Sequence, residues 1–209
     1  MDRKLRSWAI DRPVDGSPFA LPRGVRGRLA GWIMKYTNRK QDEILQLLDV
    51  SPGNRVLEVG FGPGRLIGLL AARTDAAIIY GADPSPVMCD AAGRANRAGI
   101  EAGRIVLSRG TAERTGLADG SVDRVVTVNN VAIWPDLDAG VRELRRVLAP
   151  GGTAAIAWHG GTAPSAIGAR LRLADDKLQR IDLALRNAFV EVRRHKLTTL
   201  DVFVAGTRP

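Results

Sequence analysis

Arg55-Val56-Leu57-Glu58-Val59-Gly60-Phe61-Gly62-Pro63-Gly64-Arg65-Leu66 is the stretch whose reading decides the fold. Its opening, Val56-Leu57-Glu58-Val59, is a short apolar run of the kind that forms a buried strand. Glycines then occupy alternate positions, at Gly60, Gly62 and Gly64. After them Leu66, Ile67, Leu69 and Leu70 fall at helical spacing beside the small pair Ala71-Ala72. Strand, glycine loop and helix, in that order, open a nucleotide-binding βαβ unit. The loop needs glycine because it must turn tightly and let a ligand meet backbone with no side chain between.

The spacing separates one nucleotide class from another. A dinucleotide fingerprint G-x-G-x-x-G/A begun at Gly60 requires a small residue where Arg65 stands, and begun at Gly62 it fails at Ile67. Glu58, two residues before the first glycine, suits a cationic ligand better than a pyrophosphate. E-x-G-x-G-x-G resembles motif I of the class I S-adenosylmethionine-dependent methyltransferases, whose ligand carries a sulfonium and an ammonium but no phosphate.

Outward from this stretch the chain alternates. Strands are expected at 77–82, 104–108, 123–128 and 153–158, and helices at 38–48, 85–98, 137–148 and 167–188. Ser85 is the expected N-cap of its helix, and Pro150-Gly151-Gly152 the expected stop after the helix at 137–148. Alternating strands and helices imply a parallel sheet with right-handed crossovers. The last two apolar runs, 189–197 and 200–205, are separated by Thr198-Thr199, too little chain for a crossover, so they form an antiparallel hairpin. The fold class is therefore α/β, a Rossmann-like, seven-stranded and mostly parallel sheet ending in that hairpin, as the class I methyltransferase resemblance also implies. Residues 1–50 are expected to form an N-terminal arm and helical lid, and residues 51–209 the S-adenosylmethionine-binding domain. Within the arm, Val25, Leu29, Trp32 and Ile33 share one helical face with Arg26, Arg28 and Lys35 beside it. Such a basic amphipathic helix packs on its own domain or touches a membrane surface, and the short length favours packing.

Composition bounds the partners. Hydrophobic residues at 45% and charged residues at 25% are those of a soluble globular chain. No apolar run reaches the roughly 20 residues that span a bilayer, and the basic start at Asp2-Arg3-Lys4 lacks the apolar stretch of a signal peptide. The lone Cys89 excludes an intramolecular disulfide and fits a reducing, cytoplasmic setting. A net charge of +9 raises the question of nucleic acid. The arginines, however, are spread through every segment of a chain rich in alanine and glycine, which is compositional bias more than a binding stripe. No internal repeat is present.

Several residues carry candidate chemistry. Asp83 ends the second strand, where an acid accepts from the ribose hydroxyls of an adenosine moiety, and Pro84 is placed to pack on adenine. The alternative for Asp83-Pro84-Ser85 is a simple turn and cap. After the third strand stands Gly110-Thr111-Ala112-Glu113. The resembling family usually has Gly-Asp-Ala-Glu there, with aspartate on the adenine amino group. Thr111 offers an uncharged acceptor instead, and the Ala112 N–H is a candidate partner for an adenine ring nitrogen. The fourth strand runs into Asn129-Asn130-Val131-Ala132-Ile133-Trp134-Pro135-Asp136. This Asn-x-x-x-x-Trp-Pro-Asp stretch, followed by Leu144-Arg145-Arg146-Val147-Leu148-Ala149-Pro150-Gly151-Gly152, resembles the small-molecule methyltransferases of the ubiquinone/menaquinone-biosynthesis type. The likeness runs from about residue 25 to 209 and is strongest over 51–152.

That resemblance implies S-adenosylmethionine as cofactor, S-adenosylhomocysteine as product, and a cofactor site of Glu58, Gly60, Gly62, Gly64, Asp83, Pro84, Thr111, Ala112 and Asn129. It implies a small-molecule methyl acceptor, no membrane insertion and no metal. Nucleic acid is disfavoured because enzymes that methylate base amino groups usually carry Asn/Asp-Pro-Pro-aromatic where Asn129-Asn130-Val131-Ala132 stands. Trp32, Tyr36 and Trp134 are the candidate acceptor contacts, with packing the alternative for Trp134. His159 and Tyr36 are the candidates for a general base, with a surface or capping role the alternative for His159. Methyl transfer from a sulfonium needs a base only where the acceptor must lose its proton before attack. Rival readings are an RNA or protein methyltransferase gripping substrate with the basic arm, and a cofactor-binding fold repurposed for another reaction.

Overall fold

The computed structural model describes residues 7–9 and 42–209. The expected lid, with Trp32 and Tyr36, and the first turn of the helix at 38–48 lie outside the described residues.

Strands β1 (Arg55–Val59), β2 (Ile78–Ala82), β3 (Ile105–Ser108), β4 (Val122–Val128), β5 (Leu148–His159), β6 (Glu191–Lys196) and β7 (Leu200–Gly206) form one sheet in the order β3-β2-β1-β4-β5-β7-β6. The first five pair in parallel. β7 inserts antiparallel between β5 and β6. The order reverses between β1 and β4, and at such a switch point the strand ends splay to leave a crevice for ligand.

Helices α1 (Asp42–Leu48), α2 (Arg65–Arg73), α3 (Pro86–Ala95) and α4 (Arg97–Glu101) come from the first half of the chain, and α5 (Leu137–Val147), α6 (Ala166–Arg170) and α7 (Asp175–Ala188) from the second. Both faces of the sheet are buried, so the central strands carry aliphatic side chains on both sides. On one face Ile44, Leu66, Ile67 and Leu70 of α1 and α2 meet Val56, Ile79 and Val126. On the other, Val141, Leu144 and Val147 of α5 and Leu178, Ile181 and Leu185 of α7 meet Leu57, Val125 and Ile156.

Three expected elements differ from the sequence pattern. The helix expected over 85–98 ends at Ala95, because the Asn96 amide turns back to donate to the carbonyls of Gly64 (2.9 Å) and Ala92 (3.0 Å). The single helix expected over 167–188 is two, α6 and α7. Between them Leu173 turns into the core, and the Trp158 indole donates to the freed Leu171 carbonyl at 2.7 Å. Pro150-Gly151-Gly152 does not separate helix from strand but lies inside β5, which starts at Leu148. There the register against β4 shifts, with Gly151 at φ 72° and its N–H on the Arg208 carbonyl.

Many arginines are consumed by the fold. Arg104 donates to the carbonyls of Ala71, Thr74 and Ala76 at the end of α2. Arg124 does the same for Leu48 and Asp49 at the end of α1. Arg55 grips Asp123 and ties the starts of β1 and β4 together. Terminal helix carbonyls have no partner within the helix, which is what draws the guanidinium groups to them.

Candidate functional site

The site lies at the carboxyl ends of β1, β2 and β4. Gly60, Gly62 and Gly64 have φ of 69°, 54° and 79°, a conformation that costs a side-chain-bearing residue but not glycine. A Cβ on Gly64 would meet Ala92 Cβ and Asn96 Nδ2, both at 2.6 Å, so this glycine also lets α2 start hard against α3. The Gly60 N–H donates to the Ala82 carbonyl at 2.7 Å, which joins the loop to the end of β2.

Asp83 organises this junction. One carboxylate oxygen accepts from the Gly62 N–H and the other from the Ser85 N–H, each at 2.9 Å. Each oxygen keeps acceptor capacity for a ligand hydroxyl. Ser85 caps α3 as expected, accepting from the Met88 N–H. Thus Asp83-Pro84-Ser85 does form a turn and cap, and Asp83 is also tied to the glycine loop. Burial raises the Asp83 pKa, and the two N–H donors oppose the rise.

Glu58 is 3% exposed, and its Oε2 has no hydrogen-bond partner. Burial raises its pKa well above the carboxylate range, the neighbouring charge of Asp83 adds to this, and the Ile67 N–H works against it. Neither Glu58 nor Asp83 has an ion-pair partner among the described residues. Two buried acids without an ion-pair partner disfavour a pyrophosphate, and a bound cation is what would stabilise their charged forms. The site therefore fits a ligand that carries sulfonium, ammonium and a ribose diol.

Asn130 was not among the expected site residues, yet it holds the loop. Its Nδ2 donates to the carbonyls of Val59 (2.8 Å) and Gly60 (3.2 Å), while its Oδ1 accepts from Thr127 Oγ1 and from the Trp134 indole at 2.8 Å. A Cβ on Gly60 would come within 2.1 Å of Asn130 Nδ2, so the glycine is needed for this clamp as well. The sequence signals this position only through the Asn129-Asn130 pair, in which nothing local distinguishes the second asparagine from the first. Asn129 itself has φ 57°, and its N–H donates to Ala157.

The remaining expected residues divide. Thr111 is exposed and forms a bridge with Arg114, whereas Ala112 is buried in the core at 6% exposure. Pro84 is half-buried beside Asp83. Trp134 takes its packing alternative: it is 4% exposed, lies against Gly140, and spends its N–H on Asn130. His159 closes β5 at the ligand end of the sheet, edge-on to Trp158 at 5.5 Å. Burial pushes its pKa down to about 4, so at neutral pH it is an uncharged imidazole of low basicity. His195 sits on the edge strand β6 opposite Val202, separated from β5 by β7. Cys89 is half-buried, and burial raises its thiol pKa, the opposite of an activated nucleophile. No group of metal-ligating side chains occurs among the described residues, and no described helix is long and apolar enough to cross a membrane.

Comparison with known proteins agrees with this geometry. Residues 57–156 match the family described as "Methyltransferase domain". The uncharacterized methyltransferase YdaC of Bacillus subtilis is 33% identical over 129 residues, spanning 61% of this chain and 69% of its own length. A ubiquinone/menaquinone biosynthesis C-methyltransferase, UbiE of Geotalea daltonii, is 33% identical over 107 residues, 51% of this chain and 46% of its own. A SAM-dependent methyltransferase from Aquifex aeolicus superposes with a TM-score of 0.68 at 18% identity, covering 84% of this chain and 96% of that one. The glycine loop, the two buried acids beside it, the sheet order and these relatives converge, and the chain belongs to the class I methyltransferases that use S-adenosylmethionine as cofactor.

Proposed function

We propose that this protein transfers the methyl group of S-adenosylmethionine to a small-molecule acceptor. The cofactor, when bound, supplies a methyl already activated on sulfonium, so the chain's own task is alignment and exclusion of water. In this reading Glu58 holds the cationic amino-acid end and Asp83 the ribose diol. The backbone of Gly60 and Gly62 gives a surface free of side chains, and Thr111 with the Ala112 N–H meets the adenine edge. His159, uncharged at neutral pH, is the base in this reading only for an acceptor acidic enough to give its proton to a weakly basic imidazole.

The observation that carries the small-molecule reading is the form of the 129–134 loop. Val131, Ala132 and Trp134 are buried and Asn130 is spent on the glycine loop, so this loop presents no aromatic platform for a flipped base. Two further points support it. Among the described residues, arginines 55, 73, 97, 146, 180, 186, 193 and 194 are in ion pairs. The relative UbiE is named as a quinone-biosynthesis enzyme.

Calorimetric titration with S-adenosylhomocysteine, with NADH as control, tests the cofactor half, and Asp83→Ala is expected to bind at least about tenfold more weakly. For the acceptor half, cofactor turnover is followed against small-molecule acceptor mixtures and against total RNA. Transfer to RNA that falls steeply with salt would overturn the proposal.

A further inference from the structure

The segment Ser7–Ala9 lies far from the site in sequence and is strapped onto the loop that follows β4. Ser7 Oγ donates to the Ala132 carbonyl, the Trp8 indole donates to the Val131 carbonyl at 2.7 Å, and the Trp8 N–H donates to the Trp134 carbonyl at 3.2 Å. Ala9 N–H closes on Ser7 Oγ at 3.2 Å and fixes the local turn. The receiving residues form a single 3-10 turn, Val131–Ile133, with Val131 and Ala132 fully buried. A one-turn helix cannot satisfy its own carbonyls, and buried carbonyls without donors are costly. Segment 7–9 supplies donors to the Ala132 carbonyl and to that of the C-cap Trp134, and a second donor to Val131, whose carbonyl also accepts from the Trp134 N–H.

The same turn fixes Asn130. Trp134 receives the strap through its backbone carbonyl, and its indole N–H donates to Asn130 Oδ1. Asn130 in turn donates to Val59 and Gly60, the two residues at the mouth of the glycine loop. A continuous path of hydrogen bonds thus leads from Trp8 through Trp134 and Asn130 to Gly60.

We infer that Trp8, aided by Ser7, is a positioning residue for the cofactor loop: docking of segment 7–9 on the 131–134 turn holds the Asn130 clamp closed on Gly60. The inference deepens the cofactor-dependent reading above and rests on it. Trp8 does not touch the glycine loop. Its backbone N–H meets Trp134, and its indole with the Ser7 hydroxyl keeps segment 7–9 seated on Val131 and Ala132, so losing that seating lowers affinity for the cofactor without removing a ligand contact.

The wild-type chain, Trp8→Phe (which removes the indole N–H together with its five-membered ring), Ser7→Ala and the double variant are titrated with S-adenosylhomocysteine. Amide hydrogen exchange is measured on each without ligand. Each single variant is expected to bind about fivefold more weakly, in keeping with one lost hydrogen bond, and the double variant more weakly still. Exchange should quicken at 129–134 and around Gly60 while the β6–β7 hairpin keeps its protection. Wild-type affinity and exchange in the double variant would overturn the inference, as would an affinity loss matched by faster exchange throughout the sheet. If the wild type binds no S-adenosylhomocysteine, the cofactor reading fails, and exchange at 129–134 in the variants still decides whether the strap orders that turn.

Discussion

At the scale of the residue, the informative group is Glu58. A carboxyl that is 3% exposed and has an unpartnered oxygen is a cost to the empty protein. Below the ordinary carboxylate range Glu58 is protonated in both the folded and the unfolded chain and contributes nothing to their balance. As pH rises from there toward its raised folded value, the unfolded chain releases the proton and the folded one keeps it, so stability is progressively lost. Glu58→Gln is therefore expected to melt above the wild type at pH 8 and level with it at pH 4, in scans without ligand. The same variant should bind S-adenosylhomocysteine about tenfold more weakly, because glutamine cannot give up a proton to become the carboxylate that a bound ammonium stabilises. Equal melting at pH 8 together with unchanged affinity would show that this acid serves neither role.

At the scale of the element, Glu143 on α5 fastens the loop after β3. Its carboxylate accepts from the Thr115 N–H and Thr115 Oγ1, both at 2.7 Å, and from Arg146 Nε at 2.7 Å. Arg146 also reaches the Leu117 carbonyl at 2.7 Å, so one helix holds the whole 115–117 turn below Thr111 and Ala112. Burial by itself raises the Glu143 pKa, but the bonds from Arg146 and Thr115 prevail and hold it below the usual value. Stability from this network is thus present above the ordinary carboxylate pKa and is lost as pH falls through the folded one. Glu143→Gln should cost about 2 kcal/mol at pH 7. Urea midpoints should show the gap to wild type narrowing below about pH 4. A gap of constant size across that range would mean that shape, not charge, holds the turn.

At the scale of the whole molecule, ligand and fold are coupled through the switch point while the hairpin edge stands apart. The site gathers Gly60, Asp83 and Asn130 from the ends of three strands, so a ligand there ties them together. The β6–β7 hairpin is secured separately, by Arg194 on the buried Asp201 at 3.0 Å and over the Phe203 ring. S-adenosylhomocysteine at 100 times its Kd should stabilise the chain by about 2.7 kcal/mol, which raises the melting temperature by about 5–10 °C. Amide exchange should slow at 60–64, 83–85 and 129–131 and stay unchanged over β6 and β7. Uniform slowing of the whole sheet would contradict this separation.

The sequence by itself determined the alternation of strands and helices, the closing hairpin, the glycine loop and the acids at 58 and 83. These are legible because they rest on local rules: side-chain period, glycine at positive φ, and an acid at a fixed offset from a strand. It also excluded a dinucleotide through Arg65 and Ile67. Only the tertiary structure decided what depends on partners far away in the chain. Asn96 ends α3 because Gly64 lies within its reach, and Leu171–Ala174 breaks a helix because Trp158 and the core take those residues. Asn130 became the clamp, and Trp134 a packing residue, because strands β1 and β4 are neighbours. Trp8 reaches the 131–134 turn across more than 120 residues of sequence. Periodicity cannot encode such pairings, since each depends on where the fold brings a second segment and not on the residue's own neighbours.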